Sequence, residues 1–183
     1  MAENESKVLK SLRLEGLKCV EVAKLGSNGE TGTDWVQVGD TVPDSFGINK
    51  ADDTTTEEFI EESDAAIDEI TSQKGIRSIT WQTKNVHPDV FKTIARGEFD
   101  NLAWAEESTE EAKELSVRAT SMNGIQVVFN RVKIRINGDL NFQKSALAKL
   151  TITGKQLAPL LSSEKTFKII YPEGTTVSDC SKA

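Results

Sequence analysis

Apolar and polar positions alternate through most of this chain, and the alternation predicts strands. Leu12 and Leu14, then Leu17, Cys19 and Glu21, mark a first strand with Val20 and Val22 on its other face. "DWVQV" predicts a short strand ending at Gly39. In "GIRSITWQT", Ile79 and Trp81 alternate with Ser78, Thr80 and Gln82. "LSVRATS", "ALAKLTITGKQL" and "KTFKIIYPEG" give further strands. The longest is "GIQVVFNRVKIRING", where Ile125, Val127 and Phe129 share one parity and Val132, Ile134 and Ile136 the opposite one. A one-residue phase slip of this kind predicts a β-bulge at Asn130.

A period of 3.6 is clear in one place. "NVHPDVFKTIARGEF" has Pro88 in a first turn, Asp89 beside it where the helix dipole favours an anion, and an apolar stripe of Val90, Phe91 and Ile94. Arg96 and Gly97 form a stop, so a helix is expected over about residues 88–95. His87, the single histidine, precedes the helix proline and reads as a cap or turn residue. The stretch "TTTEEFIEESDAAIDEI", Thr54 to Ile70, supports two readings. Phe59, Ile60, Ser63, Ala66, Ile67 and Ile70 share a helical face, yet the opening threonines favour a strand.

The intervals between elements are polar. Residues 1–11 read as an N-terminal arm, residues 12–172 as one β domain, and residues 173–183 as a C-terminal tail. Residues 39–53 form a long loop that carries Val42, Pro43, Phe46 and Ile48, too apolar a set for an idle loop of that length. These four either dock on a neighbour or fold back on their own core.

The net charge of -7 on 183 residues argues against non-specific attraction to nucleic acid or acidic lipid. A surface of this sign facing DNA repels it. No apolar h-region opens the chain and no apolar run approaches the length of a membrane span, so neither a signal peptide nor a membrane partner is expected. Cys19 and Cys180 are expected to stay unpaired, since Cys180 sits in a polar tail.

Catalytic and cofactor chemistry leaves no signature. No Cys/His cluster has zinc spacing, no glycine-rich loop opens a helix after a strand, and no nucleophile elbow is present. The acids Asp44, Asp52, Asp53 and Asp64 lack the alternating pattern of a calcium loop. No enzyme, metal or cofactor is expected. Trp35, Trp81 and Trp104 are expected in the core. Arg131, Lys133 and Arg135 line one strand face. With 29 acids in the chain they are candidates for pairing with carboxylates, inside the chain or on a neighbouring subunit.

The order of these features carries further meaning. "DWVQVGD" leads into a long polar excursion ending in "TTTEEFIEESDAAIDEI". "IRSITWQT", the helix "HPDVFKTIARG", the acidic "TEEAKE" and the closing strands "GIQVVFNRVKIRING" and "SALAKLTITGKQLAP" follow. This succession resembles the major tail tube proteins of long-tailed, siphovirus-like bacteriophages, over roughly Leu12 to Leu160. The resemblance rests on layout rather than on a signature motif.

It implies a mainly β fold: an antiparallel β-sandwich or barrel-type domain with one short flanking helix, a long β-hairpin loop and extended terminal arms. It implies hexameric rings stacked into a tube, a channel for DNA, and a place in the virion tail after assembly in the host cytoplasm. Partners would be further copies of the chain, together with tail terminator, tape measure and distal tail proteins, and DNA in transient passage. By the same resemblance "TTTEEF" is a strand leaving the long loop, and residues 39–53 contact the next ring through Val42, Pro43, Phe46 and Ile48. Glu58 and Asp68, on either side of the "EESDAA" turn, become candidates for an acidic channel wall, the alternative being a solvated outer face. Two other readings stand beside this one: a tube protein of a type VI secretion or contractile injection system, and a non-viral β-sandwich binding module.

Overall fold

The parity slip at Asn130 is a bulge, and the fold divides there. The computed structural model of the protein describes residues 13–60, 63–85, 87–95, 97–100, 103–106, 112–137, 147–173 and 175. It is mainly β, with antiparallel sheets and one short helix among the described residues. The strands are β1 (Leu17–Lys24), β2 (Val36–Gln37), β3 (Gly47–Lys50), β4 (Thr54–Ile60), β5 (Ser63–Gln73) and β6 (Arg77–Thr83). Helix α1 (Pro88–Ile94) follows. Then come β7 (Gly97–Asp100), β8 (Ala103–Glu106), β9 (Lys113–Ser121), β10 (Gln126–Asn137), β11 (Leu150–Gln156) and β12 (Phe167–Ile170).

The main sheet runs β2-β1-β9-β10-β11-β6-β3, and β12 also pairs with β10. Along the edge shared with β9, Phe129 stands opposite Val117 and Val132 opposite Leu115. Three steps on β10 therefore match two on β9, which is the extra residue of a bulge. On its other edge β10 changes partner across the same point. Residues 126–129 pair with β12, and residues 132–137 pair with β11. Both halves keep their apolar parity inward, so Val127, Phe129, Val132 and Ile134 all join one core.

That core also takes Val20 and Val22 from β1, Ile79 and Trp81 from β6, and Val90 and Ile94 from α1. Each such buried side chain stabilises the fold by roughly 1.5–3 kcal/mol relative to exposure. Elements at opposite ends of the strand order meet here because the sheet curls. Val38 donates its amide to Val20 O of β1, and Val42 donates to Gln82 O of β6. Four residues span at most roughly 14 Å, so the two ends of the sheet approach within that reach. Left-handed backbone at Gly39 (φ 73°) and Asp40 (φ 43°) makes the corner. Asp tolerates this region better than most residues that carry a side chain. Thr83 Oγ1 donates to Gly39 O at 2.8 Å and holds it. Among the described residues the sheet does not pair β2 with β3, and no closed barrel is formed.

Some expectations hold, among them His87 as a helix cap and Trp81 in the core, and others are corrected in detail. Residues 39–53 are not a plain loop: they contain β3 and a bridge between Thr41 and Thr83. The helix ends at Ile94, with Ala95 as its extended C-cap. His87 is the N-cap, its Nδ1 accepting from the amide of Asp89 at 3.3 Å. Trp81 is fully buried, but Trp35 lies half-buried beneath the Arg118 guanidinium and Trp104 half-buried against Phe91. The strands β7 and β8 form a two-stranded sheet where alternation gave no signal. The expected N-terminal arm lies outside the described residues, as do residues 176–183 of the tail, Cys180 included.

Thr54–Ile60 is a strand, so the extended reading of the ambiguous segment holds and its helical periodicity does not. β4 pairs antiparallel with β5 and with no other described strand.

Candidate assembly surfaces

The exposed face of the main sheet is built by register. Glu114 of β9 stands opposite Lys133 of β10, which stands opposite Lys155 of β11, which stands opposite Ser78 of β6. One row along, Arg135, Thr153 and Thr80 align. Residues directly opposite across antiparallel strands share a face. Their neighbours Ile134, Ile152 and Ile79 are buried, so Lys133, Arg135 and Lys155 face solvent. With Ser78, Thr80 and Thr153 they line a shallow depression of about 370 Å³.

The three predicted basic residues behave differently. Arg131 grips Glu114 with two hydrogen bonds, Nε to Oε2 at 2.8 Å and an Nη to Oε1 at 2.9 Å. Its other Nη donates to Ala158 O at 3.2 Å. Arg131 is therefore engaged within its own chain. Lys133 and Arg135 form no ion pair with any described residue, and neither does Lys155. Sequence reasoning missed Lys155. Its parity with Thr151 and Thr153 was visible, but nothing in the sequence said that β11 lies beside β10. Like charges placed directly opposite, as Lys133 and Lys155 are, destabilise a sheet.

Val42, Pro43, Phe46 and Ile48 come together around one open cavity of about 570 Å³ that Leu14 and Leu17 also line. Phe46 packs against the core, its ring 6.5 Å from that of Trp81. Pro43 is exposed, and Ile48, on edge strand β3, keeps 40% of its surface exposed. Ser45 fixes the turn between them, its hydroxyl donating to Val42 O at 2.6 Å and accepting from the Gln82 amide at 3.1 Å.

The hairpin of β4 and β5 brings Glu58 and Asp68 directly opposite each other. Its base is strapped by Asp53. Oδ1 of that residue accepts from the Lys50 ammonium at 2.8 Å and from the Gly75 amide at 2.9 Å. The Lys50 hydrogen bond, and after it that of the Gly75 amide, hold the Asp53 carboxyl below the ordinary value of 3.8. Gly75 is required at this crossing, since a Cβ there would lie 1.7 Å from Ala51 O.

The described residues contain no group of three or more His, Cys, Asp or Glu side chains able to hold a metal ion. No helix among them is long and apolar enough to cross a membrane. The geometry that stands out is one of surfaces: a cationic sheet face, an apolar-rimmed cavity and a hairpin standing apart from the sheet. The sequence matches no protein-family model and no curated protein.

Proposed function

We propose that this chain is a self-assembling structural subunit, a tail tube protein whose copies close into hexameric rings and stack into a channel for DNA. The observation that carries this reading is the β4–β5 hairpin. Strands of 7 and 11 residues pair with each other and with no other described strand, and stand outside the main sheet. A two-stranded ribbon on its own is marginally stable in water, so one of this length calls for a partner surface.

Three further features support it. The sheet ends in β2 and β3, which lack outer neighbours among the described strands, and cyclic assembly is one way a fold disposes of such edges. Pro43 and Ile48 place apolar surface at the rim of the cavity, where the stacking contact is assigned. An acidic wall at Glu58 and Asp68 would repel phosphate and let DNA slide. In this reading the protein resides in the virion tail, with terminator, tape measure and distal tail proteins at the ends and centre of the tube.

Negative-stain electron microscopy of the concentrated protein tests it. Rings or tubes on the order of a hundred Å across, the width of several domains of this size in a ring, are the expected result. A monomer at every concentration, by microscopy and by sedimentation, rejects the reading.

A further inference from the structure

The hairpin and the cationic face are complementary in charge: β4 and β5 pair with no other described strand, and the cations of the face form no ion pair with a described residue. β4 and β5 together contain Glu57, Glu58, Asp64, Asp68 and Glu69 and no Lys or Arg. The sheet face carries Lys133, Arg135 and Lys155, with its nearest acid, Glu114, already held by Arg131. A protein of net charge -7 keeps three cations together here, two of them directly opposed, although nothing in the described fold is stabilised by that arrangement.

The geometry also says whose hairpin reaches the face. Lys50 pairs with Arg77, Ala51 donates its amide to Ile76 O, and Thr54 pairs with Gln73. The residue numbers of each pair sum to the same value. β4–β5 therefore starts as the continuation of the β3–β6 ladder beyond the end of the sheet, and its register shifts by one residue just past Thr54. At about 3.4 Å per residue, seven residues carry the ribbon roughly 24 Å outward. The chain's own cationic face lies at the root of this ribbon, beside Ser78, and β4 and β5 lead away from that end of the sheet.

We propose that the Lys133, Arg135 and Lys155 face is the docking surface for the β4–β5 hairpin of a second copy of this chain, through the hairpin face that carries the Glu57–Glu69 pair, opposite to that of Glu58 and Asp68. The inference rests on the reading of the protein as a self-assembling subunit, and it names the contact. Ser78, Thr80 and Thr153 keep the face low, so that a strand can lie across it between the longer cations. Such a contact forms quickly and weakens with salt, because its attraction is between charges at a wet surface.

The test uses the full chain. Natural-abundance and nitrogen-15-labelled protein are mixed and treated with a carbodiimide, which joins amines to carboxylates in direct contact. Mass spectrometry of mixed-isotope peptides is expected to show Lys133 or Lys155 joined to β4–β5 carboxylates of another copy. In parallel, a face variant (Lys133→Glu, Arg135→Glu, Lys155→Glu) and a hairpin variant (Glu57→Lys, Glu69→Lys) are followed by sedimentation. Each alone should lose at least about tenfold in self-association, as for close interfacial charge pairs, and their equimolar mixture should recover it. A neutral face variant (Lys133→Gln, Arg135→Gln, Lys155→Gln) covers the case in which reversal prevents folding, and should show a smaller loss. A remote reversal (Lys24→Glu, Lys84→Glu, Lys165→Glu) should show none.

Wild-type assembly with cross-links elsewhere, or with unchanged affinity in the face variants, overturns this contact and leaves the assembly reading standing. A wild-type protein that never assembles overturns both. Binding of short double-stranded DNA that the face variant abolishes, with self-association intact, assigns the face to nucleic acid and also overturns the proposal.

Discussion

Glu21 and Arg118 stand opposite each other across β1 and β9, joined by hydrogen bonds of 2.8 and 2.9 Å, and the guanidinium lies 4.4 Å from the centre of the Trp35 ring. Both side chains are about four-fifths covered. The planar fork and the stacking require arginine, since an ammonium supplies neither. Arg118→Lys is expected to destabilise the protein by about 1–2 kcal/mol, within the range of charge-assisted hydrogen bonds. Urea unfolding followed by tryptophan fluorescence measures it, and an unchanged midpoint would reduce the pair to a surface decoration.

The bulge rests on Ser116. Its buried hydroxyl donates to Asn130 O at 2.6 Å and accepts from the Gly32 amide at 2.9 Å. Ser116→Ala orphans both backbone groups. The expected loss is roughly 1–3 kcal/mol for each group left without a partner, read from thermal or urea unfolding. Ser116→Thr keeps the hydroxyl and should recover part of it if the added methyl is accommodated.

Acid should loosen the hairpin at its root. The Asp53 carboxyl is held below 3.8, so its contribution is complete above that pH and disappears as pH falls through the lowered folded value. Amide exchange at Thr54, Gln73 and Gly75 is expected to accelerate below about pH 4, the ordinary carboxylate range, beyond the change intrinsic to the amides. Asp53→Asn should show the faster exchange already at neutral pH. Equal protection in the two proteins at neutral pH would show that the strap does not hold the ribbon.

Phe46 and Ile48 sit two residues apart and should separate folding from assembly. Phe46 packs on Trp81 and the core, so Phe46→Ala is expected to lower stability by about 2–4 kcal/mol, somewhat below the range for fully buried aromatic residues. Ile48→Thr, at an edge strand with 40% of the side chain in solvent, should change stability by less than about 1 kcal/mol. In the proposed tube it should shorten or abolish stacking. Normal tubes from the Ile48 variant, seen by microscopy, would remove this position from the stacking contact.

The parts legible in the sequence were those where alternation is unbroken. Val127 and Phe129 against Val132 and Ile134 located both the longest strand and its bulge, because a parity slip has one simple structural meaning. β3 escaped because "GINK" is too short to display a period, and its four residues are all exposed. The segment from Thr54 misleads a periodicity argument because its apolar spacing suits a helix. The ladder arriving from β3 and β6 carries it into a strand instead. The cationic face was half visible: Arg131, Lys133 and Arg135 share a parity, but adding Lys155 and setting Arg131 aside required knowledge of neighbours. Arg118 beneath its alternating pattern gave no hint of Glu21, 97 residues away on β1, or of Trp35, which precedes β2.

The start of β4–β5 as an extension of the β3–β6 ladder has a mechanical consequence. A pull along the hairpin runs parallel to β6, while the hydrogen bonds that tie β6 to β3 and β11 run across it. Those bonds are loaded together, in shear, instead of opening one after another from an end. A load applied at the hairpin tip is thereby delivered to the strand that carries Ile79 and Trp81, deep in the core. Any neighbour that holds the ribbon is anchored to the most buried part of the molecule, and tension between copies is borne by whole domains.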